Sequence, residues 1–279
     1  MAEHQPGKDT YVLSRNHAAA SRLNYQFYLW KDTLGFNLHP NIPTPKPDAR
    51  IADVATGTGI WLLDLAHSLP KSVQLDGFDI DISQSPPAQW LPPNVNIRTW
   101  DLFQDVPTDF VGKFDIVHVR LIGLAVKDNN PLQVVSALHK LLKPGGYLQW
   151  DEMDDASSSV VFANPTVKTE AIEAMRRYMH TPKGDAKGLH EWRYQLPTYL
   201  SQHGFDDVRL HKYQTGLSMA RFWNDNYLVL VEEFTANMLV GTEAATEVYQ
   251  LVSGAANEAQ CGAAIVIPQL VVVARKGFD

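Results

Sequence analysis

A glycine-rich turn follows the first β-rich run of the chain, where residues 51–61 read IADVATGTGIW. Glycine lets the backbone turn sharply after a strand, brings bare amides close to a ligand and presents the N-terminus of the next helix. We therefore predict that Gly57 and Gly59, together with Ala55, cradle a nucleotide-like ligand. An ordinary strand-to-helix turn would explain the Gly-x-Gly spacing equally well, so the surrounding residues have to decide.

The neighbours of the turn narrow the kind of ligand. Asp53 comes at the end of the strand, where its carboxylate suits a cationic amine and would repel a pyrophosphate. A dinucleotide site needs a third glycine, but Ile60, Trp61 and Leu62 stand in its place. A nicotinamide or flavin site is consequently disfavoured.

Further acids come at the ends of the next two predicted strands. Asp79, in GFDID, can accept both hydroxyls of a ribose, with Ile80 beside it, and Asp81 is expected to cap the following turn. Asp101 can accept from the exocyclic amine of an adenine while Leu102 packs on the ring. Capping of a helix N-terminus explains Asp101 equally well.

The chain around these acids alternates short β-rich runs with helical stretches, which is typical of parallel strands joined by crossover helices. The predicted strands cover residues 50–54, 73–79, 95–100, 114–120, 145–151, 208–213 and 269–276. The predicted helices cover residues 60–68, 132–142, a region from beyond 155 to about 178, and 192–203. Helix breakers at residues 143–146, KPGG, should end the second of them.

The remaining segments precede this alternation or lie between its last two strands. Residues 14–34 predict an amphipathic helix with Leu23, Phe27, Trp30 and Leu34 on one face, and prolines stiffen the connector after it. Residues 216–262 read as two helices, one aromatic and one polar and alanine-rich, and the apolar run at 262–274 reads as a buried strand. The predicted organisation is a cap and connector at 1–47, a core at 48–215 plus 263–279, and a helical insertion at 216–262.

Composition limits the partners of the chain. Its 279 residues, 45% of them hydrophobic and 20% charged, are typical of a folded domain with a sizeable core. A net charge of -7 without a Lys/Arg cluster argues against nucleic acid. Cys261 is the single cysteine, and the N-terminus lacks a signal or transit pattern. We expect a cytoplasmic monomer or homodimer with a small-molecule partner, no membrane association and no metal.

The motifs above, followed by FDIVHVR and LLKPGGYLQWDE, resemble in order and separation the successive motifs of class I S-adenosylmethionine-dependent methyltransferases. That family usually has glycine in place of Ala55, a change that should leave the turn intact. The leader YVLSRNHAAASRLNYQFYLW and the KPGGYLQWDE segment are similar to fungal methyltransferases of natural-product pathways, a likeness that fades after about residue 155. The resemblance implies an α/β, Rossmann-like, seven-stranded sheet in the order 3-2-1-4-5-7-6, with the last strand antiparallel, an N-terminal helical cap and a helical lid.

The resemblance also implies a reaction. It is methyl transfer from S-adenosyl-L-methionine to an O, N or S atom of a small, largely apolar or aromatic natural product, with S-adenosyl-L-homocysteine as the product. Asp53 would then bind the methionyl amine, Tyr25 or Tyr28 of the N-terminal helix would close over the cofactor, and Arg120 would bind the cofactor carboxylate or pair with Asp151.

Side chains at the carboxyl ends of the fourth and fifth strands should face the transferred methyl, following the rule for open α/β sheets. The candidates are His118, Arg120, Trp150, Asp151 and Glu152. His118 is the first choice for a general base, although a histidine at a strand end more often serves as a structural hydrogen-bonding group. No base is strictly required, because alignment and exclusion of water can supply most of the rate.

Aromatic and methionine side chains of the insertion predict a lid over the substrate. They are Met219, Phe222, Trp223, Tyr227, Phe234 and Met238, and the group expected to complete the wall is Tyr178, Trp192 and Tyr194. Core packing is the simpler explanation for any one of them, and His190 is read as a surface residue.

Two other functional classes are also compatible with the sequence. A protein of the same fold can bind the cofactor without transferring its methyl, as a pericyclase or a regulator of secondary metabolism would. A nicotinamide-dependent enzyme is the third possibility, which the missing glycine disfavours.

Overall fold

The structure is a computed structural model that describes residues 12–180 and 191–278. Its helices are α1 (His17–Leu34), α2 (Ile60–Ser68), α3 (Leu132–Leu141), α4 (Glu170–His180), α5 (Trp192–Gln202), α6 (Leu217–Met238) and α7 (Glu243–Gln260). Its strands are β1 (Arg50–Val54), β2 (Gln74–Asp79), β3 (Val95–Thr99), β4 (Phe114–Arg120), β5 (Leu142–Met153), β6 (Ser159–Phe162), β7 (Phe205–Tyr213), β8 (Ala263–Val266) and β9 (Gln269–Lys276). The described ranges contain no helix with the length and apolar character that crossing a bilayer requires.

Seven of these strands form one sheet in the order β3-β2-β1-β4-β5-β9-β7. The first five run parallel, and β9 runs antiparallel to both β5 and β7. Because β9 is the last strand of the sheet along the chain and β7 is the one before it, this is the predicted order 3-2-1-4-5-7-6 with its reversed last strand. The predicted fold class is confirmed.

The apolar run at residues 262–274 forms two strands, so its prediction as one strand is wrong. β8 pairs with β6 in a separate antiparallel sheet, whereas β9 enters the main sheet. Pro268 lies between them and has no N–H to continue a ladder. Its carbonyl oxygen instead accepts the N–H of Asp154 at 2.8 Å, which ties the break to the end of β5.

The fifth strand is longer than predicted at both ends. α3 ends at Leu141 before the KPGG segment, but β5 begins at once, and its pairing with β4 shifts register between Phe114 and Ile116. Gly145 has a φ of 75° within this irregular start, a left-handed conformation that glycine adopts without strain. At the other end β5 runs on to Met153, so the candidate acids Asp151 and Glu152 lie inside a strand.

Apolar clusters cover both faces of the sheet. One contains Trp30, Trp61 and residues of α2, α4, α6 and α7, and the other contains Leu138, Trp150 and residues of α3 and α5. Because successive side chains of a strand point to opposite faces, neighbouring residues of β4 and β5 contribute to different clusters.

Aromatic rings join α1 to α6. The buried ring of Trp223 meets Trp30 edge to face with 6.2 Å between centroids, and Tyr227 stacks on it at 5.6 Å. The indole nitrogen of Trp223 donates to the hydroxyl of Thr33 at 3.0 Å. α6 therefore serves as a packing platform for α1.

His39 anchors the proline-rich connector to the sheet. Its backbone N–H donates to Oε1 of Gln149 at 2.8 Å, its Nδ1 accepts the N–H of Asn41 at 3.0 Å, and its Nε2 lies 2.9 Å from the hydroxyl of Tyr213. Because Nδ1 accepts a hydrogen bond, the ring is neutral and carries its proton on Nε2. Burial, followed by the nearby His211, lowers the pKa of His39 to about 4.

Acid should consequently destabilise the protein through His39. In the unfolded chain this ring takes up a proton near its ordinary pKa of 6.5, whereas in the folded chain it does so only near its lowered pKa of about 4. The free energy of unfolding therefore falls as the pH drops through that window. We expect His39→Gln to lose less stability than the wild type between neutral and mildly acidic pH in urea titrations. His67→Gln, at an exposed position of α2, is the control, and equal losses in wild type and His39→Gln would contradict the assignment.

The α1–α6 junction should be a strong determinant of stability. Trp223→Ala removes a fully buried ring, and we expect a loss of about 3–5 kcal/mol in the free energy of unfolding. Phe222→Ala, at the adjacent position with 48% of its surface exposed, should change it by about 0.5 kcal/mol or less. Chemical denaturation of both variants tests the packing, and a Trp223→Ala loss as small as that of Phe222→Ala would count against it.

Candidate active site

The glycine turn links β1 to α2 in a left-handed conformation. Gly57 and Gly59 have φ values of 55° and 75°, and a Cβ at Gly59 would lie 2.5 Å from Cδ1 of Ile97. Ala55 also has a positive φ, 58°, which costs a residue with a side chain about 1–2 kcal/mol. The turn is nevertheless formed, with the N–H of Gly59 bonded to the carbonyl of Thr56 at 2.9 Å.

Asp79 and the turn are held together. The N–H of Gly57 donates to Oδ2 of Asp79 at 2.8 Å, and the N–H of Asp81 donates to its Oδ1 at 3.1 Å. Burial raises the pKa of Asp79, and these two backbone bonds oppose the rise. A carboxylate can accept several hydrogen bonds, so Asp79 is oriented with capacity left for a ligand. Asp81 accepts the N–H of Ser83 at 2.8 Å, which confirms its predicted capping role.

Asp101 lies in the turn after β3. Its Oδ1 accepts the N–H of Phe103 at 2.9 Å, and the N–H of Gln104 bonds to its carbonyl oxygen at 2.9 Å. The side chain therefore caps a local turn rather than a helix, and both it and Leu102 line the cavity described next.

A cavity of about 720 Å³ lies over the carboxyl ends of β1, β2, β3 and β4. Most residues predicted to bind the cofactor line it. They are Asp53, Ala55, Gly57, Asp79, Ile80, Asp101, Leu102, His118 and Arg120. Gly59 and Tyr25 do not. Gly59 packs against β3 at the start of α2, and the hydroxyl of Tyr25 lies 3.4 Å from the carbonyl oxygen of Phe222.

Four ionisable side chains form a row at the base of this cavity. β1 and β4 pair Asp53 with His118, and β4 and β5 pair Arg120 with Asp151. Nδ1 of His118 lies 2.7 Å from Asp53, and its Nε2 lies 3.2 Å from Asp151. Arg120 donates to Asp151 from Nε and Nη2 at 3.0 and 2.8 Å. Asp151 is thus behind His118 and Arg120 rather than at the cavity wall.

Aromatic rings cover the row. The indole of Trp61 stacks on His118 with 4.0 Å between centroids and 4° between planes, and the guanidinium of Arg120 lies 4.7 Å from the ring centroid of Trp30. Burial alone would lower the pKa of His118, but the hydrogen bonds and charges of Asp151 and Asp53 outweigh it and raise the pKa.

Trp150 and Glu152 do not face the cavity, which corrects the expectation that both point toward the transferred methyl. They alternate with Asp151 along β5 and lie on the opposite face of the sheet. Trp150 packs on Trp192 at 5.5 Å, and its indole nitrogen donates to Glu152 at 3.2 Å. Glu152 also accepts the N–H of Ile122, so it holds the loop after β4 from the face of the sheet opposite the cavity.

The aromatic residues of the insertion do not line the cavity either. Trp223 and Tyr227 are buried against α1, and Phe222 is half exposed. Of the group expected to complete the wall, Trp192 packs on Trp150, and Tyr194 donates its hydroxyl to Asp154. Hydrophobicity alone does not distinguish core from pocket residues, which is why the expectation that these side chains line the pocket is wrong. A helical lid over a bound substrate stays a prediction. His190 lies outside the described residues.

The cavity wall that faces the sheet comes from α1 instead. Leu23, Gln26, Phe27 and Trp30 line it, and Thr58 in the turn donates to Asn24 at 2.6 Å. The apolar stripe of this helix was visible in the sequence, but its partner was not. Nothing in the sequence assigned the stripe to the site.

Residues 23–233 match the family described as Methyltransferase domain. The methyltransferase grgD of a Penicillium species is 34% identical over 188 residues, which cover 65% of this chain and 65% of that protein. The N-methyltransferase verN of Clonostachys rogersoniana is 34% identical over 142 residues, covering 51% of this chain and 50% of that protein. The chain therefore matches less than two thirds of the length of these relatives.

A solved structure with the same fold is phosphoethanolamine N-methyltransferase 2 of Haemonchus contortus, in complex with phosphomonomethylethanolamine and S-adenosylhomocysteine. It is 15% identical with a TM-score of 0.51, over 95% of this chain and 59% of that chain. The family match extends from α1 into α6, and the order of the strands and the glycine turn are those expected of the family. The chain therefore belongs to the methyltransferase domain family.

Proposed function

We propose that the chain binds S-adenosyl-L-methionine in the 720 Å³ cavity and transfers its methyl to a small, largely apolar acceptor, leaving S-adenosyl-L-homocysteine. The observation that carries the proposal is the buried carboxylate of Asp53, which lines the cavity directly beneath the glycine turn with 3% of its surface exposed. A buried carboxylate in a cavity favours a cationic ligand group, and the methionyl ammonium is such a group.

The other strand-end acids fit the rest of the cofactor. Asp79 is oriented by the turn and has acceptor positions for the hydroxyls of a ribose. Asp101 and Leu102 lie side by side on the cavity wall, as an adenine amine and ring require. Arg120 uses Nε and Nη2 on Asp151, and its Nη1 is the atom we assign to the cofactor carboxylate.

The bound cofactor would supply an activated methyl on a sulfonium. The chain would align the acceptor with the methyl and exclude water from the cavity, since in-line displacement depends mainly on the orientation of nucleophile, methyl and leaving sulfur. Apolar side chains that exclude water from the cavity include Trp30, Ile122 and Leu124.

The acceptor should be apolar or aromatic, because Phe27 and Trp30 of α1 and Leu121 after β4 line the cavity. The likeness to an N-methyltransferase makes nitrogen the first acceptor atom to test, with oxygen and sulfur after it. Monomer or homodimer, cytoplasmic location and the boundaries of the helical insertion stay predictions.

Binding of the cofactor is tested by calorimetry with S-adenosylmethionine, S-adenosylhomocysteine and NADH. We expect both sulfur compounds to bind and NADH not to bind. Asp53→Asn should weaken the binding of S-adenosylmethionine and of S-adenosylhomocysteine by about tenfold or more, because a charged hydrogen-bonding partner is lost. Asp64→Asn, on α2 and outside this cavity, is the control and should bind as the wild type does. Binding of NADH without S-adenosylhomocysteine would refute the proposal.

Turnover is tested by incubating the full chain with S-adenosylmethionine and pools of aromatic amines, phenols or thiols. We expect S-adenosylhomocysteine to accumulate with at least one pool, and to do so more slowly with Asp53→Asn at subsaturating cofactor. A chain that binds the cofactor but yields no product with any pool would instead support the alternative, a protein of this fold that does not transfer the methyl.

A further inference from the structure

His118 lies between two carboxylates that come from different strands. The ring is 1% exposed, and Asp53 of β1 and Asp151 of β5 are 3% and 0% exposed. Each ring nitrogen faces one carboxylate oxygen, Nδ1 at 2.7 Å and Nε2 at 3.2 Å. Both nitrogens are therefore engaged inside the protein.

The chemistry of these contacts specifies the protonation of the ring. An ionised carboxylate only accepts hydrogen bonds, so two carboxylates require two N–H donors, and only an imidazolium has both. Each carboxylate accepts a further hydrogen bond, as expected of an ionised acid. The Thr56 hydroxyl donates to Asp53 at 2.6 Å, and the Gln149 amide donates to Asp151 at 3.1 Å.

Charge counting supports the same state. In the ligand-free chain, with Arg120 paired to Asp151, a protonated His118 gives two positive and two negative charges, whereas a neutral ring leaves one buried negative charge without a partner. A ligand with an ammonium at Asp53 and a carboxylate at Arg120 adds one charge of each sign and keeps this balance. Among the groups near the row, Asp79 of β2 acts on Asp53 as a further negative charge. Trp61 of α2 stacks on the face of the His118 ring, and His39 of the connector, which acts on Asp151, is neutral.

We propose that His118 is a positioning residue with a fixed proton, whose imidazolium holds Asp53 beneath the glycine turn and Asp151 beneath Arg120. The role toward the ligand rests on the proposed function. His118 holds Oδ1 of Asp53 and Thr56 holds Oδ2, so the carboxylate has one orientation, and each oxygen keeps a second acceptor position for a cationic amine. Arg120 likewise keeps its orientation because Asp151 is fixed from the opposite side.

Two consequences follow. His118 is not the proton acceptor of the reaction, because neither ring nitrogen has a lone pair directed at the cavity. The acceptor must therefore arrive as a neutral amine or lose its proton elsewhere. The pairing stabilises the fold fully below the ordinary histidine pKa of 6.5 and loses that contribution as the pH rises through the raised value.

Nuclear magnetic resonance of the ligand-free full chain with ¹⁵N-labelled histidine tests the protonation state. We expect one ring with both nitrogens protonated and protected from exchange, identified by contacts to the ring of Trp61, at a pH where free histidine is mostly neutral. A neutral tautomer of that ring would overturn the proposal. This measurement needs neither a variant nor the cofactor, so it is independent of whether the proposed function holds.

A double-mutant cycle on S-adenosylhomocysteine binding tests the positioning role. We expect Asp53→Asn and His118→Asn each to weaken binding by about tenfold or more, and the double variant to lose less than the sum of the two, because both act through Asp53 while His118 also fixes Asp151 beneath Arg120. Additive losses, or unchanged binding by His118→Asn, would overturn the role. His67→Asn is the matched control at an exposed position.

The two proposals fail in different ways. If the wild type does not bind S-adenosylhomocysteine, the cofactor assignment fails while the protonation of His118 is still decided by resonance. If His118→Asn does not fold, His118→Gln takes its place in the cycle, and the spectrum of the wild type continues to decide the protonation.

Discussion

A buried row of charge runs across three adjacent strands at the base of the cavity. Removing an ion from water costs several kcal/mol unless a partner compensates for it, and here every charge has one, since Asp53 and Asp151 share His118 and Arg120 pairs with Asp151. These partners meet only when β1, β4 and β5 keep their register. The charge balance of the row therefore constrains the sheet, as well as the helices that keep water away from it.

Those helices contribute flat aromatic surfaces. Trp61 is the second residue of α2 and follows the glycine turn closely. Formation of the turn therefore brings its ring onto His118. Trp30 covers Arg120 from α1, and α1 in turn packs on Trp223 of α6. The insertion thus influences the site indirectly. Its aromatic side chains support the helix that lines the cavity and do not reach the cavity themselves, so the selectivity for an acceptor should depend mainly on α1 and the loop after β4.

Alternation along the strands divides the two faces of the sheet. His118 and Arg120 of β4 face the cavity side, while Val117 and Val119, which alternate with them, belong to the opposite apolar cluster. The same alternation turns Trp150 away from the site, where Glu152 links it to the loop after β4. A strand-end position is consequently not sufficient for a role in the site, because the face must also be correct.

Apart from β6, which lies in a region predicted as helical, and the division of the last apolar run into two strands, the sequence by itself determined the order of the elements, the glycine turn and the acids at the ends of β1, β2 and β3. These features depend on local periodicity and on backbone conformations that few residues adopt, so short segments are enough to identify them. The positive φ of Ala55 shows the same turn forming without its usual glycine. The strand order came from the resemblance of these motifs to a known family.

Only the tertiary structure decided which residues His118 contacts and which side chains of α1 line the cavity. Its two carboxylate partners are 65 and 33 positions away along the chain, and their contact depends on strand register, which the irregular start of β5 shifts by an amount that no local pattern reveals. The expectation that the aromatic side chains of the insertion line the cavity was wrong for a related reason. An apolar aromatic side chain gains the same free energy by burial in a core as in a pocket, so the choice between them is made by packing across the whole fold.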